Sequence, residues 1–278
     1  MIRFDAYSAT TTAAKHPDLM SLLAGTGGPG AVQTMKQGKG FHTFGERIGV
    51  TNESGVEWAS VQWGGGQGER TMIEVKGEST PAVVEALRSA FPHRCTRVDS
   101  CADFDVLGAF ERLYGEAQVV KKDHRLKGEK QGDWDDFPED GRTLYLGARS
   151  STCRLRLYEK GKQPEYRHLE RPNWARIELQ VRPAKEAKSA FSALSAAEVW
   201  GASTWTRELA AKVLQEHIDP HPAGTTYRLT QRDAALEWMC HQYGVHLLSL
   251  ANDLGGWDCL GRTLQEIIHS QKRKDRKQ

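Results

Sequence analysis

The sequence predicts an α+β protein, with a central antiparallel sheet and flanking helices followed by a helical C-terminal region. Three observations predict it. Up to about Pro183 the apolar residues mostly alternate, as strands with one dry face require. Beyond Pro183 their spacing changes to roughly 3.6 residues, the helical period. Within the strand-like part, turn-forming glycines and serines separate the alternating runs closely enough for hairpins. The change of period divides the chain into residues 1–183 and 184–278.

The elements follow in order. Val56–Trp63 and Thr71–Lys76 are rich in β-branched and aromatic residues and read as strands. The GGGQGER between them has no Gly-Lys-Ser/Thr closure and no helix after it, so it is a hairpin connection, not a phosphate cradle. Pro81–Ala90 is a short amphipathic helix capped by Ser79 or Thr80, with proline at its first position. A strand runs from Thr96 to about Phe104. Segment 121–142 is charged and bears glycines, and is expected to be a long mobile loop. RTLYLGARSSTCRLRLYEKGK reads as a hairpin turning at Ser-Ser, and Asn173–Arg182 as one more strand, stopped by Pro183. Helices are expected over Lys185–Leu194, Thr204–Glu216, Gln231–Leu250 and Gly261–Ser270. In the third of these, Leu236, Met239, Tyr243, Leu247 and Leu250 keep helical spacing and are expected to pack in a core closed by Trp238 and Trp257.

Composition narrows the class. The 278 residues are 38% hydrophobic and 27% charged, as expected of a soluble globular protein. No run of about 18 apolar residues occurs, and the opening MIRFDAYSATTTAAK lacks the charged-then-apolar order of a secretory signal. The expected location is the cytoplasm. The five cysteines contain no C-x-x-C pair, which argues against a zinc site and a disulfide framework. His217 and His221 flank a Pro220 that breaks helical geometry, so they read as a surface turn. With a net charge of only +2, any cations that grip an anionic partner must be concentrated locally. The KRKDRK tail would add salt-sensitive attraction to a nucleic-acid backbone.

Period-two geometry sorts three strands into an apolar and a reactive face. Cys153, Leu155 and Leu157 point one way, and Arg154, Arg156, Tyr158 and Lys160 the other. Ala175, Ile177, Leu179 and Val181 oppose Arg176, Glu178, Gln180 and Arg182. Val98, Ser100, Ala102 and Phe104 oppose Arg97, Asp99, Cys101 and Asp103. Taken singly, such a polar face most often means only that it is wet. If the three strands are neighbours, one surface carries carboxylates, guanidinia, an ammonium and a phenol. Oxygen ligands there suit a hard divalent cation, and arginines suit a phosphodiester. A phenol titrates near 10, so it needs nearby cations or a polarised phosphate to react at neutral pH.

The strings RVDSCADFD, TLYLGARSSTCRLRLYEKGK and WARIELQVR together resemble the plasmid and phage replication initiation factor family. Its pattern is met at Arg97 and Asp99, at Tyr145, Gly147, Arg149 and Ser151, at Arg156, Tyr158 and Lys160, and at Arg176 and Glu178. The resemblance covers about residues 40 to 183. It implies a rolling-circle initiator that nicks and rejoins one DNA strand through a 5′-phosphotyrosine intermediate, with Mg²⁺ or Mn²⁺ as cofactor. Tyr158 is the implied nucleophile, with Arg156 and Lys160 beside it, and Arg149, Arg154 and Arg176 are the implied DNA-phosphate contacts. Asp99 and Glu178 are the first metal ligands, Asp103 a third, and Glu74 an outsider. Tyr145 is the rival nucleophile. Origin DNA is the implied partner; a host helicase and a homodimer stay open. Two other readings also stay open: a metal-dependent endonuclease that uses water, and an origin-binding regulator without catalysis.

Overall fold

A computed structural model of the chain describes residues 1–26, 34–132, 134–135, 138–224 and 231–275. The strands are β1 (Ile2–Thr11), β2 (Thr34–Lys39), β3 (Glu46–Thr51), β4 (Glu57–Trp63), β5 (Thr71–Lys76), β6 (Arg94–Asp105), β7 (Gly128–Gln131), β8 (Thr143–Leu146), β9 (Cys153–Glu159) and β10 (Trp174–Val181). The helices are α1 (His16–Thr26), α2 (Thr80–Ala90), α3 (Ala109–Asp123), α4 (Ala187–Phe191), α5 (Thr204–Val213), α6 (Gln231–Asp253) and α7 (Trp257–Asp275). All described strands join one antiparallel sheet in the order β2-β3-β4-β5-β1-β6-β10-β9-β8-β7. The expected α+β architecture is therefore present.

One face of this sheet is dry. Val98 and Ala102 of β6, Leu155 and Leu157 of β9, and Ile177 and Leu179 of β10 are buried in a single core with Leu19 and Leu23 of α1, Val83, Val84 and Leu87 of α2, Leu113 and Val120 of α3, and Leu209 of α5. Completely burying each such aliphatic side chain contributes about 1.5–3 kcal/mol. Above the other face of the central strands opens a cleft of about 1360 Å³.

Two compact units are present, Met1–Thr226 and Tyr227–Gln278. Packing of the first unit thus continues beyond the division at Pro183 read from periodicity. Trp200, completely buried, donates its indole N–H to Ser100 Oγ on β6 (3.0 Å), and Ser100 donates to the carbonyl of Ala196 (2.6 Å). The helical segment after Pro183 completes the sheet's core.

Four findings correct or add to these expectations. Segment 121–142 is not one long loop: α3 runs to Asp123, β7 adds an edge strand, and a 3-10 turn spans Pro138–Asp140. At the end of α3, Lys122 and Asp123 are on its solvated side, while Val120 is buried on its dry side. Second, the opening residues form β1, which sits between β5 and β6 at the centre of the sheet. Third, Ser79 makes no side-chain cap; the Thr80 hydroxyl donates to the carbonyl of Asp5 instead (3.1 Å). Fourth, in the second unit Leu236, Met239, Tyr243, Leu250, Trp238 and Trp257 are exposed, while Ala251 and Leu260 are buried. Two helices cannot enclose apolar residues distributed this far round α6. Of the basic tail, residues 276–278 lie outside the described residues.

Candidate active site

Register builds the site. Arg176 of β10 pairs with Asp103 of β6 on one side and Tyr158 of β9 on the other; Glu178 pairs with Cys101 and Arg156, and Gln180 with Asp99 and Arg154. Residues directly opposite across a ladder share a face, so the phenol, the carboxylates and the guanidinia all stand on the side away from the helices. The three strands are neighbours, as the polar-face argument required. Tyr158, Arg156, Lys160, Asp99, Asp103, Arg176 and Glu178 all line the cleft.

Their bonding separates structural from available groups. Asp103 accepts from Arg176 through both oxygens (2.7 and 2.8 Å), from Arg3 (2.6 Å) and from the Trp174 indole (2.8 Å). Against the burial that would raise it, these bonds from Arg176 and Arg3 hold its carboxyl well below the usual carboxylate range. Arg176, 4% exposed, reaches from Asp103 to Asp5 (2.6 Å). It therefore organises the acids from below. Asp99, also buried, takes a two-toothed pair from Arg97 and a longer bond from Gln180 (3.4 Å).

Glu178 differs. It is half-buried, and its side chain takes part in no hydrogen bond or ion pair among the described residues. Burial, then the charges of Asp99 and Asp5, raise its carboxyl well above the usual carboxylate range. Arg156 is the matching cation: its Nε is buried without a hydrogen-bond partner, and its guanidinium carbon lies 3.9 Å from the Tyr158 ring centroid. A buried, unpartnered donor implies an acceptor supplied from outside. Tyr158 itself is 4% exposed, and burial followed by the charge of Glu178 pushes its phenol upward.

Lys160 is not on the strand. β9 ends at Glu159, and Lys160 opens a 3-10 turn that turns its ammonium between the rings of Tyr166 (4.4 Å) and Trp174 (4.5 Å). Burial and then the charge of Arg176 lower it to about 8. Arg149 and Arg154 lie elsewhere: both bond Glu129 of β7 (2.8 and 3.2 Å), Arg154 covers the Tyr145 ring at 4.1 Å, and neither lines the cleft. Tyr145 stays with them. Glu74 accepts from Gln62 (2.9 Å), Ser8 and Ser60, three neutral donors, and sits beyond Arg97.

Sequence reasoning missed Asp5. A bulge between Phe4 and Ala6 inserts it into β1, and its carbonyl accepts from Gly77 N–H (2.7 Å) and Thr80. The bulge turns the carboxylate towards Arg176. The broken alternation of MIRFDAYS was the only local trace, because a bulge cancels the period-two signal.

A model of the replication initiation factor family matches residues 96–247. The chain belongs to the replication initiation factor family. The matched stretch contains Asp99, Tyr158 and Glu178; Asp5 and Glu74 lie before it. Among solved structures, the rolling circle replication initiator protein from Geobacillus stearothermophilus is similar, with 15% identity over 72% of this initiation factor and 83% of that chain and a TM-score of 0.47. No curated protein matches the chain. No helix among the described residues is long and apolar enough to cross a membrane.

Proposed function

We propose that this initiation factor starts rolling-circle replication by nicking one strand of origin DNA and later rejoining it, with Tyr158 as nucleophile. The observation that carries the reading is the juxtaposition of the Tyr158 phenol with an unpartnered Arg156 guanidinium and an unpartnered Glu178 carboxylate, on one sheet face over an open cleft. As the Tyr158 oxygen attacks phosphorus it gives up its proton, the P–O3′ bond breaks, and the 3′ oxygen leaves as a hydroxyl, so the net transfer carries one proton from the phenol to the leaving group. A 5′-phosphotyrosine remains, and attack by a 3′-hydroxyl reverses the step.

Each residue has a physical task. Arg156 presents its fork to the non-bridging phosphate oxygens, where a guanidinium is strongest. It also offsets the charge that develops on Tyr158. Lys160, at the cleft wall with a lowered proton affinity, supplies a second cation and holds a proton near the departing oxygen. Arg176 keeps Asp103 and Asp5 in place. Burial excludes the water that would otherwise compete with the 3′-hydroxyl for the phosphotyrosine.

The donor chemistry fits a divalent cation, Mg²⁺ or Mn²⁺. Glu178 is raised by burial and then by the charges of Asp99 and Asp5, and hard oxygen ligands suit these ions. Among the described residues no three His, Cys, Asp or Glu side chains are grouped to hold an ion unaided. Glu178 with Asp99 or Asp5, completed by substrate phosphate and water, is the arrangement such ions commonly accept. Asp103 is spent on Arg176, Arg3 and Trp174 and is excluded from the set. When bound, the ion would supply charge neutralisation at the phosphate.

The test is to incubate the chain with supercoiled DNA of the replicon that encodes it and Mn²⁺, then denature. A covalent protein–DNA adduct that Tyr158→Phe abolishes is expected. Nicked product without an adduct would instead indicate attack by water, and binding without cleavage a regulator.

A further inference from the structure

A second, smaller space opens beside the reaction centre. It measures about 190 Å³, shares Ala6, Glu57, Trp58, Lys76 and Arg97 with the cleft, and ends at Ser8, Ser60 and Glu74. Arg97 borders both spaces while holding Asp99. Nothing in the nicking chemistry uses Glu74, which lies on β5, three strands from Glu178 on β10. At about 4.8 Å per strand that is roughly 14 Å, a few nucleotides along an extended strand.

The end wall is oriented in advance. Gln62 is completely buried, and its Oε1 accepts from the main-chain N–H of Phe41 (2.6 Å). That bond leaves its amide nitrogen facing Glu74, to which it donates at 2.9 Å. Ser8 and Ser60, both nearly buried, approach the same carboxylate only at 3.4 Å. Glu74 is thus held in one orientation by one good bond and keeps accepting capacity towards the pocket. Beside it the pocket is lined by Ala6, Trp58 and Lys76.

We propose that this pocket takes one nucleobase of the single strand running from the nick site, and that Glu74 selects bases carrying an exocyclic amine. The inference rests on the nicking reading and deepens it by assigning a specificity residue. A carboxylate accepts from the amine of cytosine, adenine or guanine; thymine has none there and would place a carbonyl against the negative charge. A site built to accept an N–H rejects an analogue lacking it because its own acceptor is left unpaired. Arg97, between the pocket and Asp99, is placed for the intervening phosphates.

The test uses the full chain carrying Tyr158→Phe, so that no cleavage intervenes, and fluorescence anisotropy with labelled dC, dA and dT dodecamers. The dC and dT comparison decides, because the two rings are alike in size. The expected result is dC bound tighter than dT by roughly tenfold to a hundredfold, the discrimination of one good base contact. Adding Glu74→Gln should collapse or invert this preference. Gln62 would still donate towards the same position, so the new amide would put its oxygen there and its NH₂ towards the base, which suits thymine. Ser60→Ala, a smaller change in the same wall, should keep the sign of the preference, with thermal unfolding reporting the fold of both variants. Equal affinity for dC and dT, or a preference that Glu74→Gln leaves unchanged, overturns the proposal. Adduct formation by the Tyr158 chain is read separately: an adduct without base preference leaves nicking standing and removes the subsite, and a Glu74-dependent preference without an adduct does the reverse.

Discussion

Two tyrosines of this initiation factor look alike at short range and differ in everything around them. Tyr158 and Tyr145 stand on the paired strands β9 and β8, each with an arginine guanidinium over its ring, at 3.9 and 4.1 Å. Among the described residues Arg156, over Tyr158, has no acidic partner in bonding distance, whereas Arg154, over Tyr145, is bonded to Glu129. Tyr158 lines the cleft with Glu178 and Asp99; Tyr145 does not. An arginine over a phenol is therefore not a catalytic signature by itself. What distinguishes the two is whether the guanidinium is already neutralised, and that depends on which strand happens to pair outside it.

The largest break in this comparison is expected at the phenols. Tyr158→Phe should lower adduct formation on the order of 10⁴-fold or more, as loss of a nucleophile does, while Tyr145→Phe should leave it within a few-fold; a denaturing gel with end-labelled DNA reads both. If the Tyr145 variant is the silent one, the assignment is reversed. Next come the arginines. Arg156→Ala should cost about 10²–10³ in nicking rate, the size of losing one preorganised donor to developing charge, and Arg154→Ala should cost far less in the same single-turnover assay.

Stability changes sharpen the contrast further. Glu159, with its side chain 7% exposed, ties the end of β9 to Arg142 just before β8 through bonds of 2.9 and 2.8 Å, and Lys162 assists at 3.1 Å. Arg142→Ala would leave that carboxylate poorly compensated, at a cost of about 3 kcal/mol measurable by urea unfolding. The smallest effect concerns Lys160. Its folded proton affinity is lowered from 10.5 to about 8, so charging it opposes folding: the penalty is absent above 10.5, builds as pH falls towards 8 and is full below that. The shift corresponds to about 3 kcal/mol, of which the two ring contacts return about 1 kcal/mol. Lys160→Met should therefore be more stable than the parent by about 2 kcal/mol at pH 7, and the gap should close towards pH 10.5. A gap that stays constant across that range would show that Lys160 is not desolvated.

Much of the fold could be read in advance because its signals are local. Thr143–Leu146 and Cys153–Glu159 fall where the alternation placed a hairpin, and Trp174–Val181 where the next strand was expected. The polar faces of β6, β9 and β10 were also legible, since alternation is a property of each strand alone. Asp5 was not legible, because a bulge hides its orientation. Nor was the retirement of Asp103, whose neighbours Arg3, Trp174 and Arg176 come from two other strands. Nor was it legible that Arg149 and Arg154, expected as phosphate contacts, bond Glu129 of β7, which comes from a segment whose charge resembled a loop. The exposed Trp238 and Trp257 show the same limit from the other side, since helical spacing says which residues share a stripe and not what covers it.

By itself the sequence determined the α+β class, the alternating strands and which side chains of β6, β9 and β10 share a polar face, since propensity and period are carried by residues a few positions apart. Tertiary structure alone decided which of those side chains are free. Charge neutralisation acts through space between strands distant in the chain, so Arg176 could silence Asp103 and Glu129 could silence Arg154, while Arg156 and Glu178 were left to face the cleft.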